Sequence, residues 1–127
     1  MNHDFFNMRE YYHVRKSKIE IMNNKERELN RIVDVVIRCC KMTDKESVTR
    51  TSLLGGSKRE NVVMTRCILV GELIRTGYTI TTCADLLGCS PQTARMLLSR
   101  GYEYQRTSRA YRLARNETSK LVDESAE

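Results

Sequence analysis

The sequence predicts an all-α fold, a compact helical bundle that contains a helix-turn-helix. Apolar residues recur at spacings of three and four in several stretches, whereas the alternating runs that are typical of strands are scarce. A single proline and six glycines among 127 residues also favour helices over turn-rich structure. The length and a hydrophobic content of 40% fit one domain with a modest core and one or two extensions.

Residues 1–22 are predicted to form an N-terminal amphipathic helical extension. Its apolar positions nearly follow a spacing of three and four residues and are Phe5, Met8, Tyr12, Ile19 and Met22. Two heptads are too short to be stable alone, so the segment would dock on the domain, pair with a second copy or remain partly disordered. We favour docking, and a homodimer through residues 1–22 is the alternative.

A clear helical pattern runs from Lys25 to Lys41. Its apolar positions are Leu29, Ile32, Val33, Val36, Ile37 and Cys40. They recur at i, i+3, i+4 and i+7, with charged residues on the opposite face, as an amphipathic helix requires. Thr43–Glu46 then matches a capping box for a short helix, and residues 51–56 are expected to form a loop.

The next helix is expected to be the longest. Ser57–Glu60 is a second capping box, apolar residues continue to about Thr76, and Gly77 is the expected C-terminal stop. Lys58 and Arg59 would oppose the macrodipole at the start of this helix, at a cost of about 0.3–1 kcal/mol each. That cost suggests that they have a task outside the fold, solvated loop charges being the alternative.

Residues 79–98 carry the signals of a helix-turn-helix. A short helix with an apolar face and the small Ala84 ends at Gly88, which adopts a left-handed conformation at little steric cost. Ser90 is a natural N-cap for a second helix, and Pro91 fits its first position. The residues that face outward from this second helix are Gln92, Thr93, Arg95, Met96, Ser99 and Arg100. An ordinary corner between two helices is the alternative, but the basic chain favours DNA binding.

Residues 25–100 therefore constitute the predicted helix-turn-helix DNA-binding domain. Gly101 is expected to kink or end the second helix. A basic C-terminal helix is predicted over residues 102–121, and residues 122–127 are predicted to form a frayed tail.

The charge of the chain favours a polyanionic partner. Its formal net charge is +6, with a pI near 9.2. Residues 95–115 contain six arginines and a single acidic residue, Glu103, which gives this stretch a net charge of +5. The tail from Glu117 onwards holds four acids and one lysine, a net of −3. The positive charge is therefore concentrated on and just after the second helix of the motif.

Composition and spacing argue against several other classes of protein. The chain has five cysteines and no C-x-x-C pair, and its two histidines show no zinc-finger spacing, so we expect no metal or other cofactor. Cys67 and Cys83 are interpreted as small apolar fillers in a reduced cytoplasmic protein. We expect no membrane segment, because no apolar run has membrane-spanning length. We also expect no small-molecule ligand and no enzymatic activity, because neither a nucleophile–histidine pair nor a phosphate-binding loop is evident.

Three features within residues 32–98 together resemble one known family: Ile32-x-x-x-Val36 followed by Cys-Cys-Lys-Met42, the arginine Arg66, and the element Ile80–Gly88. On these features, residues 32–98 resemble the C-terminal duplex-binding domain of the bacterial replication initiator DnaA, within the wider Trp-repressor-like helix-turn-helix group. The first feature resembles that family's first helix and its end, Arg66 fits an arginine position of its long helix, and Ile80–Gly88 resembles its Ser-Leu-x-Glu-Ile-Gly-x-x-Phe-Gly element. Cys89–Ala94 stands where the family has Arg-Asp-His-Ser/Thr-Thr-Val, and Thr93 alone is retained. The resemblance covers about half of the chain and does not include the initiator's ATPase module.

The leading prediction is a sequence-specific double-stranded DNA-binding protein, a small transcriptional regulator that reads the major groove with residues 91–100. Gln92 would pair with adenine and Arg95 with guanine, while Ser90 and Thr93 would hold phosphates. The family resemblance implies that Lys58 and Arg59 enter the minor groove. The complete predicted DNA-binding set is Lys58, Arg59, Ser90, Gln92, Thr93, Arg95, Ser99, Arg100, Arg106 and Arg109. A protein-interaction module that keeps the helix-turn-helix shape without touching DNA is the alternative.

Overall fold

Every regular element of the described chain is a helix, as the sequence predicts. The computed structural model describes residues 24–40 and 48–126, which contain six helices. These are α1 (24–40), α2 (Arg50–Leu54), α3 (Glu60–Arg75), α4 (Ile80–Leu87), α5 (Pro91–Thr107) and α6 (Arg109–Ser125). The predicted helix over residues 1–22 and the capping box at Thr43–Glu46 lie outside the described residues.

The chain divides into two units, residues 1–30 and residues 31–127. Of the first unit the structure describes residues 24–30, which form the opening turns of α1. The fold and the candidate site described below belong to the second unit.

Within the second unit, α1 buries a wider face than the predicted stripe. Ile32, Val33, Val36 and Cys40 are buried as expected, and Val35 and Cys39 are buried with them. At the start of this part of α1, the guanidinium of Arg31 donates to the main-chain oxygen of Val122 at 2.9 Å and to the hydroxyl of Ser125 at 2.6 Å. These two bonds connect α1 to the end of α6.

α3 is the central helix because it is buried on almost every side. Seven successive residues, Cys67 to Leu73, are buried, and α3 contacts α2, α4, α5 and α6. A helix that is apolar all round must lie inside the fold, whereas an amphipathic one lies at its surface. Glu72 is the charged exception in this run, and its carboxylate is satisfied by side chains from α3 and α6.

The segment before α3 differs from the sequence prediction. Residues 51–56 were expected to be a loop, but Arg50–Leu54 is a helix whose N-cap, Thr49, exchanges bonds with Ser52 in a capping box. The predicted capping box at Ser57 is also wrong: α3 begins at Glu60, and its N-cap residue Arg59 forms no side-chain cap. Lys58 and Arg59 therefore precede the helix and do not lie in its first turn.

The turn between α4 and α5 agrees with the sequence prediction in each local feature. Gly88 ends α4 with a φ of 66°, and Ser90 caps α5, where its hydroxyl accepts the Thr93 N–H at 3.1 Å. Pro91 occupies the first helical position, and Ala94 is fully buried. At the end of α3, Gly77 has a φ of 102°, as expected for a C-terminal stop.

The expected interruption at Gly101 is wrong, because α5 continues unbroken from Pro91 to Thr107. Gly101 is buried, and a Cβ atom built there would lie 2.8 Å from the hydroxyl of Tyr111 and 3.6 Å from the Cβ of Cys67. The glycine thus permits close approach between α5 and its neighbours. The break comes at Ser108, whose hydroxyl caps α6 by accepting the Tyr111 N–H at 3.1 Å.

The C-terminal boundaries also differ from the predicted 102–121 and 122–127. α6 runs through to Ser125, and Val122 is buried although it was assigned to a frayed tail. The bonds that Val122 and Ser125 accept from Arg31 explain the difference, because they attach the last turn of α6 to α1.

Candidate nucleic-acid interface

The first half of α5 presents a polar face to solvent. Ala94 and Gly101 are buried on one side of the helix, and Gln92, Met96 and Ser99 are exposed on the opposite side. With 3.6 residues per turn, these three exposed positions lie within about 60° of one another around the axis. We call this surface the polar face of α5, with Arg95 and Arg100 as its exposed flanking cations.

The first turn of α5 leaves one main-chain donor for a ligand. Pro91 has no N–H, and the N–H of Thr93 is bonded to the Ser90 hydroxyl. The hydroxyls of Ser90 and Thr93 also lie 3.0 Å apart, within hydrogen-bond distance of each other. The N–H of Gln92 has no partner among the residues that the structure describes, so it can donate to a phosphate oxygen at the positive end of the helix.

The basic loop before α3 is held in place by Arg66. The guanidinium of this residue donates to the main-chain oxygens of Ser52 at 3.0 Å, Leu53 at 2.8 Å and Ser57 at 2.5 Å, and also to that of Gly55. Four carbonyls from the end of α2 and the following loop therefore converge on one side chain. Arg66 was singled out from the sequence by resemblance alone, and the structure shows that its donors are occupied by the fold.

The structure brings Lys58 and Arg100 together but separates Lys58 from Arg59. Lys58 and Arg100 line one surface depression of about 380 Å³, which Glu103 also borders. Arg59 lines a second depression, of about 530 Å³, with residues of α3 and α6 that include Met64 and Ala114. Lys58 is thus placed beside α5, whereas Arg59 lies towards another side of the molecule.

Arg106 and Arg109 lie at the far end of the candidate surface. At 1.5 Å per residue, Arg106 is about 21 Å along the axis of α5 from Gln92. It also forms an exposed ion pair of 3.7 Å with Glu103. Arg109 follows the helix break, in the first turn of α6. These two cations are exposed, as the sequence predicts, but they are distant from the residues that would contact bases.

Burial keeps the thiols of Cys67 and Cys83 neutral. Desolvation raises the pKa of Cys67 and of Cys83 to about 11, so both thiols are protonated at neutral pH. Both side chains are fully buried, which confirms their interpretation as small apolar fillers. Within residues 24–40 and 48–126, no group of three or more histidines, cysteines and acids is placed to hold a metal ion.

Sequence analysis named Met96, Glu103 and Arg66 but left all three out of the predicted DNA-binding set. Met96 is 64% exposed although it is apolar, and its outward direction follows from helical spacing alone. Glu103 occupies the same side of α5 three turns beyond Gln92 and marks the acidic limit of the polar face. The contacts by which Arg66 positions the loop join it to residues 9 to 14 positions earlier in the chain, so no local sequence pattern predicts them.

Comparison of the chain with known protein families, characterised proteins and solved structures gives no match. Among the helices of the described ranges, none has the length and apolar character that crossing a membrane requires.

Proposed function

We propose that this protein binds double-stranded DNA, with the first half of α5 in the major groove. The observation that carries the proposal is the polar face of α5. A helix packed on the core by Ala94 and Gly101 exposes Gln92 and Ser99 on its outer side, with cations on both flanks. Such a helix has the size and chemistry to enter the major groove, with its N-terminal residues at the base edges. α4, the turn at Gly88 and α5 would together act as a helix-turn-helix.

Base recognition falls to two side chains in this proposal. The amide of Gln92 can form two bonds with adenine, and the guanidinium of Arg95 can form two bonds with guanine. Each such pair discriminates by roughly 1–3 kcal/mol against a wrong base. Among the described residues Arg95 has no ion-pair partner, so no protein contact must be broken before it meets a base.

Phosphate contacts surround this centre. The free N–H of Gln92 and the exposed hydroxyls of Ser90 and Thr93 would hold one phosphate at the start of α5. Lys58 and Arg100, which line one depression, would bind the backbone on the other side. Arg59, Arg106 and Arg109 would add sequence-independent attraction, because their positions are remote from the polar face.

The finer proposal is a small transcriptional regulator related in its fold to the DnaA duplex-binding domain. It rests on the residues of the helix-turn-helix and on the absence of a phosphate-binding loop from the sequence. Because Ser90 and Pro91 replace the family's Asp-His pair, we expect the recognised sequence to differ from the replication origin box.

The test is to select bound duplexes from a random pool with the full chain and then to titrate the selected site. Gln92→Ala and Arg95→Ala should each weaken the selected site by about 5- to 150-fold while leaving nonspecific duplex binding within a fewfold. Lys120→Ala is the matched control, because it removes one exposed cation from α6, away from the polar face. It should leave the ratio of selected-site affinity to nonspecific affinity unchanged.

Salt dependence distinguishes this proposal from protein interaction. The logarithm of the affinity should fall linearly with the logarithm of the salt concentration, with a slope of about 0.9 per phosphate contacted. Arg100→Ala should lower that slope by about one. A chain that selects no duplex in dilute buffer would overturn the proposal and favour a protein-interaction module.

A further inference from the structure

We infer that Met96 reads the 5-methyl group of a thymine and is a specificity-determining residue of the α5 surface. This inference rests on the proposed function and adds a third base contact, one that depends on shape and apolar contact. It explains why an apolar side chain stands in the middle of an otherwise polar face.

The position of Met96 requires an explanation because the fold does not use it. Its side chain is 64% exposed, and it belongs to α5, whose buried positions Ala94 and Gly101 lie on the opposite side. Its neighbours at the helical spacings of three and four residues on this surface are Gln92, Ser99 and Arg100, all polar and exposed. The core therefore gains nothing from a methionine here, and alanine would be the better helix former.

The size of the apolar surface indicates what it contacts. In the described residues, the large hydrophobic side chains that are exposed are Met96, Tyr102 and Leu113. Tyr102 lines a cleft between α3, α5 and α6, and Leu113 belongs to α6, so neither extends the polar face of α5. A single methionine among polar residues is too small for a protein interface, which buries several hundred square ångströms on each partner. It does fit one methyl group.

Thymine supplies that group. In the major groove the base edges present hydrogen-bond donors and acceptors, and the thymine C5-methyl is their apolar feature. Met96 lies one helical turn after Gln92, about 6 Å along the axis, which corresponds to one or two base steps of 3.4 Å. A flexible, polarisable thioether can adapt to a methyl group at that place. The recognised site should therefore contain a thymine within two base pairs of the base that Gln92 contacts.

Deoxyuridine tests the contact directly, because it differs from thymidine by that methyl group alone. Each thymine of the selected duplex is replaced in turn by deoxyuridine, and the affinity of the full chain is measured. At least one thymine position of the selected site should lose about fourfold in affinity, the effect expected for one buried methyl-sized group. Met96→Ala should lose a similar factor on the thymine duplex and should show no further loss on the deoxyuridine duplex.

The control variant is Leu113→Ala, which trims an exposed apolar side chain on α6. It should bind the thymine duplex like the unmodified chain and should keep the full deoxyuridine effect. The inference is overturned if no thymine position is sensitive, if the selected site lacks thymine near the Gln92 contact, or if Met96→Ala keeps the deoxyuridine effect. Failure of the proposed function looks different, because then no duplex is selected at all.

Discussion

The substitution Glu72→Gln tests how α6 is held against α3. Glu72 is fully buried, and its carboxylate accepts from Arg75 through Nε at 3.0 Å and through Nη2, and from the Ser119 hydroxyl at 2.8 Å. Nε of Arg115 lies 3.5 Å from the second carboxylate oxygen. Glutamine keeps the shape of the side chain, but it removes the charge and turns an NH2 group towards donors that need an acceptor.

The expected loss in the free energy of unfolding depends on how deeply Glu72 and its arginine partners are buried. Removal of one partner from a buried ion pair costs about 3–5 kcal/mol, because the remaining charge is left without compensation. Here Arg75 is 37% exposed and Arg115 is 22% exposed, so both can regain some water. Arg75 also keeps its contact with Asp123 at 2.9 Å. We therefore expect Glu72→Gln to lower the free energy of unfolding by about 2–3 kcal/mol.

Asp123→Asn provides the matched control, because it removes a charge from the same arginine at the surface. Asp123 is 64% exposed, and such pairs contribute about 0–1 kcal/mol and weaken in salt. Thermal unfolding followed by circular dichroism should show a fall in Tm of about 10–15 °C for Glu72→Gln and below about 5 °C for Asp123→Asn. If both variants cost the same, or if Glu72→Gln costs less than about 1 kcal/mol, the buried network around Glu72 does not stabilise the fold.

Three further predictions concern the loop, the cap and the thiols. Ser90→Ala removes the cap on the Thr93 N–H and should cost about 1 kcal/mol in urea unfolding, with Ser90→Asp restoring most of it. In Arg66→Lys, the ammonium group cannot donate to all four carbonyls, so the free energy of unfolding should fall by about 1–3 kcal/mol in the same assay. A change near zero would contradict the role of Arg66 in holding the loop. Because burial raises the pKa of Cys67 and Cys83 from 9.0 to about 11, their unfolded forms ionise first. The contribution of these two thiols to the free energy of unfolding should therefore be constant below pH 9 and should fall from pH 9 to 11, and a double alanine variant should lose that part of the fall.

The parts of the fold that the sequence predicts are those specified by short-range signals. The turn between α4 and α5 depends on Gly88, Ser90 and Pro91, and each acts on residues within one helical turn. The amphipathic pattern of α1 and the apolar run of α3 are equally local. These elements agree with the structure because no distant contact opposes their propensities.

The features that the sequence did not predict depend on contacts between distant residues. Ser57 resembles the first residue of a capping box. In the structure, however, Arg66 of α3 donates a hydrogen bond to the main-chain oxygen of Ser57, and α3 begins later, at Glu60. The sequence pattern did not predict the Thr49–Ser52 capping box, because serine stands at its fourth position, where glutamate or glutamine is usual. One partner of Glu72 on α6, Ser119, is 47 residues away, and no periodicity identifies such a pair.

The exposed residues of the candidate site follow from helical spacing, but their relation to the basic loop does not. Ten side chains were predicted to contact DNA, and all ten are exposed. The placement of Lys58 beside Arg100, and of Arg59 elsewhere, depends on how α2 and its loop pack on α3. A linear pattern shows which residues are polar, whereas packing decides which of them share a surface.

Gly101 connects the core with the candidate site, since it sets how closely α5 approaches its neighbours. Alanine would favour the helix by about 1 kcal/mol, but its Cβ would lie 2.8 Å from the hydroxyl of Tyr111, whose side chain is buried and stacked on Tyr104 at a centroid distance of 5.6 Å. Because the ring that carries this hydroxyl is buried, we expect Gly101→Ala to cost about 1–3 kcal/mol and to displace α5. The polar face lies on the opposite side of the same helix, so the affinity for the selected duplex should fall at temperatures where the variant is still folded.

Adding Tyr111→Phe to Gly101→Ala removes the obstructing oxygen, so the double variant should regain both the free energy of unfolding and the affinity for the selected duplex. Recovery of stability without recovery of affinity would mean that the core does not orient the DNA-facing side of α5.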